Sequence, residues 1–256
     1  MSKKNNILND NPLFTIITAT YNADKFLEST IESIKSQKFK SFEWIIIDSL
    51  STDKTPEIIK ENISIFDLYI SEKDSGIYAA WNKGITRSRG QWIAFIGAGD
   101  ILLENALEVF ADLIKSTDKK VGYNFICSKS IIIDDNHLQK KIIGMEFIPS
   151  KFIKYMSISH VAAMHHKSLF EKFGLFSQNF RSSSDYEFLL RCKDSIKPLF
   201  LDEITVKMLA GGMSDSYRAL YETYIIHKKY HPKFIAKYYF IIAVIKLFIR
   251  NNLIKL

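Results

Sequence analysis

The chain has 256 residues, of which 47% are hydrophobic and 25% are charged, and its formal net charge is +7. This composition is typical of a globular protein and excludes a disordered chain, a collagen-like repeat and a disulfide-stapled miniprotein. Cys127 and Cys192 lie far apart without a CxxC spacing, so we expect neither a structural zinc site nor a disulfide framework, and a reducing compartment fits. Residues 1–12 are polar and lack an apolar stretch. We therefore expect no secretory signal and a cytoplasmic location.

The excess positive charge lies entirely at the end of the chain. Residues 223–256 carry seven Lys or Arg side chains and no Asp or Glu, which leaves 28 basic and 28 acidic residues in the rest. The same segment is rich in aromatic and aliphatic residues, whereas nucleic-acid-binding proteins spread basic groups over a polar face. We therefore expect no nucleic-acid partner and a peripheral membrane contact through residues 233–256. A helix docked on the domain or on a partner chain is the alternative.

The first 115 residues alternate between strand-like and helix-like segments. The predicted strands span residues 14–20, 42–48, 67–71 and 91–96. The predicted helices span residues 24–37, 76–89 and 104–115, and another begins at Thr55-Pro56. Repeated strand–helix units of this kind predict an α/β fold with a mostly parallel central sheet flanked by helices.

The second half of the chain is less regular. Strands are predicted over residues 121–128, 130–134 and 199–207, and a hairpin return over residues 137–143. Helices are predicted over residues 183–192 and 214–230, followed by a C-terminal helical basic and apolar tail over residues 234–256. Gly211-Gly212 predicts a turn or a mobile loop.

Polar residues follow each predicted strand of the first half, where ligands bind in an open parallel sheet. They are residues 19–22, Asp48, residues 72–74 and residues 97–100. The first loop lacks GxGxxG and GxxxxGK[ST], which disfavours a dinucleotide-binding fold and a P-loop. Acids at three successive strand ends indicate a polar ligand with N–H or hydroxyl groups and a metal-bridged diphosphate. A nucleotide-sugar fits that description.

Six segments occur in one order along the chain. They are TIITATYNAD (15–24), WIIIDSLSTDKT (44–55), SEKDSGIYAAWNKGI (71–85), GQWIAFIGAGD (90–100), SHVAAMHHKSLFEKFG (159–174) and SSSDYEFLLR (182–191). Together they resemble glycosyltransferase family 2 over about residues 13–215. The resemblance implies a GT-A fold within residues 1–222, with a nucleotide-sugar-binding half (about 13–115) and an acceptor-binding half (about 116–222). Residues 223–256 form the separate tail.

The resemblance implies a donor site at the strand ends. It assigns to that site Ala19, Tyr21, Asp48, Asp74, Gly76, Asn82, Lys83 and Gly99. Asp48 would accept a hydrogen bond from the base, which favours a UDP-linked donor, and a loop cap is the alternative for this carboxylate. Lys83 would offset diphosphate charge. Ala79 stands where the family has a second acid.

The resemblance also implies a metal and a catalytic base. Residues 97–100 (GAGD) stand at the metal-binding motif, so Asp100 would hold Mn²⁺ or Mg²⁺ together with the donor phosphates. A helix cap is the alternative for Asp100. Asp185 is the expected base that deprotonates the acceptor hydroxyl, a role compatible with capping a helix. His160 and Arg191 are expected at the acceptor or diphosphate site.

These inferences predict an inverting, metal-dependent glycosyltransferase. Its partners would be a nucleotide-sugar donor and a glycan or lipid-linked acceptor of surface polysaccharide or lipooligosaccharide assembly, on the cytoplasmic face of the membrane. An oligomer is compatible with the sequence. The alternative is a non-catalytic nucleotide-sugar-binding or scaffold protein, which the reduced metal motif and Ala79 favour. A sugar nucleotidyltransferase is disfavoured because residues 18–24 lack its Gly-rich, Arg-containing loop.

Overall fold

A nine-stranded sheet forms the centre of the computed structural model, which describes residues 11–212 and 216–253. The strands are β1 Phe14–Thr20, β2 Phe42–Asp48, β3 Leu68–Ser71, β4 Trp92–Phe95, β5 Ile101–Leu102, β6 Phe125–Ile133, β7 Gln139–Ile143, β8 Ala163–His166 and β9 Pro198–Leu209. The helices are α1 Leu27–Lys35, α2 Thr55–Glu61, α3 Ile77–Arg87, α4 Ala106–Ser116, α5 Pro149–Phe152, α6 Lys167–Phe173, α7 Ser184–Cys192, α8 Tyr217–Tyr230 and α9 Lys233–Leu253. The α/β class with helices flanking a central sheet is confirmed.

The strand order is β3-β2-β1-β4-β8-β6-β9-β5, and β7 pairs with β6. The strands β3, β2, β1 and β4 are parallel to one another, as the repeated strand–helix pattern predicts. The short strand β8 lies antiparallel between β4 and β6 and so joins the two halves of the chain in one sheet. β9 runs parallel to β6, and β5 runs antiparallel to β9.

Alternating side chains of the central strands fill two hydrophobic layers, one on each face of the sheet. Ile17, Ile45 and Ile47 pack against helices α3, α6, α7 and α8. Ile16 and Ile46 pack against helices α1, α2 and α4. Successive strand residues point to opposite faces, so a run that is apolar at every position is the pattern of a strand covered on both sides.

The second half differs from the sequence prediction in detail. The two strands predicted over residues 121–134 are one strand, β6, whose register against β9 shifts on either side of Lys129. The strands β5 and β8 and the helix α6 are additional elements. β5 has two residues and β8 has four, including His165 and His166, so neither carries a long apolar or alternating pattern.

The C-terminal part of the described chain is a pair of helices. α8 runs continuously through residue 222, where the sequence analysis placed a domain boundary, and Ile226 of α8 lies in the core of the domain. In the described residues, no helix has the length and apolar character needed to cross a membrane. Three parts of the chain lie outside the described residues. They are the polar segment at residues 1–10, residues 213–215 at the start of the helix predicted over residues 214–230, and the last three residues of the tail.

Candidate active site

Asp48 joins the carboxyl ends of β1, β2 and β3. The parallel register places it beside Thr20 of β1 and Ser71 of β3. The buried carboxylate accepts hydrogen bonds from the hydroxyl groups of Thr20 (3.1 Å) and Ser71 (3.1 Å), from the backbone N–H of Ser51 (3.0 Å) and from the Ser51 hydroxyl. These are the contacts of a loop cap. Asp48 therefore shapes this edge of the sheet, and a contact with a nucleotide base stays a prediction.

The loops that follow β1 and β2 are hydrogen-bonded to each other above this edge. The backbone N–H of Asn22 donates to the Ser51 hydroxyl (2.9 Å), and Asn22 Oδ1 accepts from the backbone N–H of Thr52 (2.9 Å). Ala19 is half-buried, whereas the Tyr21 side chain is 65% exposed. An exposed aromatic ring beside a polar edge is suited to stacking on a planar base. Tyr21 is thus available for its predicted role.

Asp74 lies in a turn that leaves one of its carboxylate oxygens without a partner. Its Oδ1 accepts from the backbone N–H of Gly76 (2.9 Å), and the φ angle of 129° at Gly76 favours glycine. Its Oδ2 is buried and has no hydrogen-bond partner among the described residues. Buried polar atoms are normally hydrogen-bonded. Asp74 Oδ2 is therefore a candidate acceptor for a hydroxyl or N–H group of a bound ligand.

Two polar side chains of α3 have partners within the protein. The buried amide of Asn82 donates to the carbonyl of Phe176 (2.9 Å) and accepts from its N–H (3.0 Å). Lys83 Nζ contacts Glu72 Oε1 (3.1 Å) and the backbone carbonyl of Lys73 (3.2 Å). Asn82 thus joins α3 to the second half of the chain, and Lys83 holds the loop after β3. Donor contacts by either residue stay predictions.

A tight turn at residues 97–100 follows β4 and is hydrogen-bonded to the end of β9. The buried carboxylate of Asp100 accepts from the backbone N–H groups of Gly97 (3.0 Å) and Leu209 (3.1 Å). The φ angle at Gly99 is 102°, and its N–H donates to the Thr30 hydroxyl (2.8 Å). Burial raises the pKa of Asp100 to about 7, although the two backbone hydrogen bonds oppose the rise.

Asp185 lies in the first turn of α7 and contacts a tyrosine of α3. The Tyr78 hydroxyl donates to Asp185 Oδ1 at 2.9 Å. On the other side, His160 Nδ1 lies 3.9 Å from Asp185 Oδ2. The Asp185 side chain is 19% exposed, and burial raises its pKa while the Tyr78 hydrogen bond lowers it. A positioned, partly exposed carboxylate with a raised pKa is suited to act as a general base.

His160 is enclosed by aromatic rings that come from the first half of the chain. Its ring stacks on Trp81 of α3 (centroids 5.4 Å apart) and on Phe95 at the end of β4 (5.5 Å). Burial lowers the pKa of His160 to about 3, so the imidazole is neutral at physiological pH. His160 therefore lies against the Asp185 carboxylate as an uncharged ring, not as its counter-ion.

Comparison with known proteins identifies the family. Residues 15–174, more than half of the chain, match the family described as Glycosyl transferase family 2. The chain belongs to glycosyl transferase family 2. A PGL/p-HBAD biosynthesis glycosyltransferase of Mycobacterium bovis is 27% identical to this chain over 186 residues, which cover 71% of this chain and 70% of that protein. The family and the glycosyltransferase class predicted from sequence are confirmed.

Solved structures of glycosyltransferases share the fold. S. aureus TarS 1–349 in complex with UDP-GlcNAc superposes with a TM-score of 0.68 at 17% identity, over 83% of this chain and 64% of that chain. The mannosyltransferase PcManGT of Pyrobaculum calidifontis, in complex with GDP-Man and Mn²⁺, superposes with a TM-score of 0.63 at 15% identity, over 91% of this chain and 70% of that chain. The family 2 chain thus has the GT-A fold and spans less than two thirds of the TarS chain.

The turn at residues 97–100 offers a metal ion one carboxylate. No group of three or more His, Cys, Asp or Glu side chains in the described residues could hold an ion. Each Asp100 oxygen accepts one backbone N–H, which leaves each a further lone pair. A Cβ added at Gly97 would lie 2.9 Å from Asp100 Oδ2, so this carboxylate fills the space that a second acid would need. Asp100 could therefore contribute one ligand to an ion that is also coordinated by the phosphates of the donor. The described residues do not supply enough ligands to hold an ion without the donor.

Arg191 lies near the end of α7, and its guanidinium has partners within the protein. It donates to the backbone carbonyls of Phe173 and Leu175 (3.0 Å) and pairs with Glu187 (3.1 Å). These contacts hold α7 to the end of α6. A contact between Arg191 and a diphosphate stays a prediction.

The sequence analysis did not identify two side chains that contact Asp185 or the segment just before it. One is Tyr78, which lies within a quoted family segment. The other is Glu222 of α8, whose buried carboxylate accepts from the backbone N–H groups of Arg181 (2.9 Å) and Ser182 (2.8 Å), just before α7. Glu222 shares a helix face with the buried residues Ala219 and Ile226. In the sequence, Glu222 could have been noticed as an acidic residue among the apolar positions of one helix face.

Proposed function

We propose that this protein is an inverting glycosyltransferase in which Asp185 deprotonates a hydroxyl group of the acceptor. The observation that carries this proposal is the partly exposed Asp185 carboxylate, held by Tyr78 at the start of α7. The donor is a nucleoside-diphosphate sugar at the strand edge near Tyr21, Asp48 and Asp74. The acceptor is a glycan or a lipid-linked glycan of surface polysaccharide biosynthesis, on the cytoplasmic face of the membrane.

The donor class is supported by proteins of the same fold. TarS was solved with UDP-GlcNAc, and PcManGT was solved with GDP-Man and Mn²⁺. Among the nucleotides we favour UDP, because the Asp48 carboxylate at the end of β2 could accept a hydrogen bond from the N3–H of uracil if the Ser51 or Ser71 hydroxyl turned away from it. The unpaired Asp74 Oδ2 supplies a further acceptor for a donor hydroxyl at the same edge.

The reaction is a displacement at the anomeric carbon. The acceptor oxygen forms a bond to this carbon while its proton passes to Asp185. The bond between the anomeric carbon and the diphosphate oxygen breaks, and its electron pair leaves with the nucleoside diphosphate. Attack from the face opposite the leaving group inverts the configuration. Tyr78 occupies Asp185 Oδ1, so Oδ2 is the oxygen that takes the proton.

One feature of the chain assists this chemistry. At the turn of residues 97–100, Asp100 is the protein ligand for a divalent ion bound with the donor. When bound, such an ion stabilises negative charge on the departing diphosphate.

A non-catalytic nucleotide-sugar-binding or scaffold protein is the second candidate. It is favoured by the reduced metal motif of residues 97–100, in which Asp100 is the only carboxylate, and by Ala79, which stands where the family resemblance implies an acid. This candidate predicts nucleotide binding without turnover.

Nucleotide binding and turnover together test the two candidates. We expect UDP to stabilise the protein more than GDP, CDP or dTDP, and more with Mn²⁺ than without it. A ligand at a hundredfold excess over its Kd adds about 2.7 kcal/mol to the free energy of unfolding. Release of the nucleoside diphosphate from UDP-sugars in the presence of acceptor then measures turnover.

The decisive variant is Asp185→Asn, with the exposed Asp194→Asn as its matched control. We expect Asp185→Asn to lower turnover about 10²–10⁴-fold and to leave the nucleotide-dependent stabilisation unchanged. Asp194→Asn should retain both. Nucleotide binding with no turnover, or with turnover indifferent to Asp185→Asn, would overturn the role of Asp185 and support the second candidate.

A further inference from the structure

Helix α9 presents a continuous apolar face to solvent. Phe234, Tyr238, Ile241, Ile245 and Ile249 recur at intervals of three or four residues and therefore share one side of the helix. We call these five residues the α9 outer face. Their side chains are 46–73% exposed. The face extends over about 23 Å of helix at 1.5 Å per residue.

The opposite side of α9 is already packed against the protein. Ala236 is fully buried, and the ring of Tyr239 contacts the rings of His227 (5.6 Å) and His231 (5.3 Å). Phe240 contacts Tyr224 of α8 (5.1 Å). The helix is thus apolar on both sides, whereas a surface helix normally carries polar residues on its outer side. An exposed apolar stripe of this size marks a binding surface.

The surrounding charges indicate what covers this surface. Lys237 and Lys246 are both exposed, and the helical repeat places them on opposite flanks of the α9 outer face. Residues 223–256 contain no acidic side chain that could neutralise them. Two copies packed through this face would offer these lysines no acidic side chain on the other copy's α9, which disfavours a homodimer. Apolar residues between flanking lysines complement a bilayer with anionic headgroups.

We propose that the α9 outer face is a membrane-docking surface that lies in the interface of an anionic bilayer, with the helix axis along the membrane plane. Phe234 and the three isoleucines enter the boundary of the acyl chains, while Tyr238 and the flanking lysines lie at the level of the headgroups. This docking goes beyond the proposed catalysis and does not depend on it. A protein docked in this way lies at the same membrane surface that anchors a lipid-linked acceptor.

Vesicle flotation of the full chain tests the proposal. We expect the protein to float with vesicles of phosphatidylcholine and phosphatidylglycerol at 50 mM NaCl, and to float less at 500 mM NaCl because salt screens the lysines. The Lys237→Gln/Lys246→Gln variant should bind about 25-fold more weakly, since each lysine near an anionic surface contributes about fivefold. The Phe234→Ser/Ile245→Ser variant should bind about a hundredfold more weakly.

Matched variants elsewhere on the surface test whether weaker vesicle binding depends on the position of the substituted residues or only on their type and number. Lys35→Gln/Lys115→Gln removes two exposed lysines from α1 and α4, and Ile63→Ser/Leu138→Ser removes two exposed apolar side chains. Both controls should float like the parent protein. Nucleotide-dependent stabilisation, measured on every variant, reports whether the fold and the donor site are intact. It also keeps a failure of docking distinct from a failure of the proposed function.

Three results would overturn the proposal. The first is no flotation of the full chain with anionic vesicles at 50 mM NaCl. The second is a loss of flotation in the control variants equal to that in the α9 variants. The third is a dimer in sedimentation velocity that Phe234→Ser/Ile245→Ser converts to a monomer, without any vesicle binding, which would assign the face to a second copy of the chain.

Discussion

The hydroxyl group of Tyr78 donates a 2.9 Å hydrogen bond to Oδ1 of Asp185, although the two residues are 107 positions apart in the chain. Tyr78 lies in the first turn of α3, directly after the Asp74–Gly76 turn, and Asp185 lies in the first turn of α7. The bond therefore connects the strand edge proposed for the donor with the carboxylate proposed as the base. Burial raises the pKa of Asp185, and this hydrogen bond counteracts the rise by stabilising the charged form.

Tyr78→Phe tests how Tyr78 acts on the base. The substitution removes the hydroxyl but keeps the ring that packs on Trp81 and Phe176. Without the donor, the ionised Asp185 is less stabilised and its pKa rises further. We expect the acidic limb of the profile of kcat/KM against pH to move to higher pH by about one unit, because hydrogen bonds to charged groups are worth about 1.5–3 kcal/mol.

The control for this prediction is Tyr155→Phe, which removes a hydroxyl from an exposed tyrosine. Its pH profile should match that of the parent protein. An acidic limb that stays in place in Tyr78→Phe, or moves to lower pH, would show that the Tyr78 hydroxyl does not stabilise the carboxylate that titrates.

Asn82→Leu separates a structural role of Asn82 from a donor-binding one. The leucine is close in size but leaves the N–H and the carbonyl of Phe176 unpaired in a buried position. Each of the two unpaired groups costs about 1–3 kcal/mol, so we expect the free energy of unfolding in urea to fall by about 2–6 kcal/mol. Asn62→Ala, which removes an amide that lies just after the end of α2 and donates to the Ile58 carbonyl, should cost less than about 1 kcal/mol.

A different result for Asn82 would restore the role expected from the family resemblance. In this result, Asn82→Leu would lose nucleotide-dependent stabilisation, but its free energy of unfolding without nucleotide would equal that of the parent protein. The Asn82 amide would then contact the donor, and its hydrogen bonds to Phe176 would not stabilise the fold.

Glu222→Gln tests whether α8 positions the base. The carboxylate accepts from two backbone N–H groups, those of Arg181 and Ser182. A glutamine has one carbonyl oxygen, so its NH₂ group faces one of the two donors. We expect a loss of about 1–3 kcal/mol in the free energy of unfolding and a lower kcat, with an unchanged KM for the donor. The exposed Glu203→Gln is the control. Reduced stability with an unchanged kcat would show that Glu222 does not set the position of Asp185.

Local patterns in the sequence predicted much of the first half of the fold. Residues 14–20 and 42–48 are strands as predicted, because an apolar run on a strand covered by helices is visible in the sequence alone. Strand β8 has four residues, and its place between β4 and β6 depends on two long-range pairings. No local pattern encodes such a pairing.

The family segments name candidate site residues, whose roles stay predictions, but they do not encode the contacts that these residues make. Asp74 and Asp185 are candidates because of the family segments that contain them. Asn82 and Arg191 are candidates for the same reason, yet their partners are backbone groups of Phe176 and Phe173. Every residue carries a backbone N–H or carbonyl of this kind, so such hydrogen bonds leave no residue-type signature.

Asp100 predicts a specific pH dependence of stability. Burial raises the pKa of its carboxyl from 3.8 to about 7 in the folded protein. The folded state therefore holds a proton that the unfolded state releases between these values. The stabilisation is fully present below about pH 3.8 and is lost as the pH rises through about 7. A shift of this size corresponds to up to about 4 kcal/mol.

Asp100→Asn should remove this dependence, because its amide does not titrate. The free energy of unfolding of both proteins is measured with urea in metal-free buffer. We expect the value for the parent protein minus the value for Asp100→Asn to decrease from pH 5 to pH 8. The exposed Asp112→Asn on α4 is the control and should follow the parent protein at each pH. A difference between parent and Asp100→Asn that is constant over this range, or that increases with pH, would show that the buried carboxyl is ionised throughout. In that case the backbone N–H groups of Gly97 and Leu209 stabilise the charged form more strongly than burial opposes it.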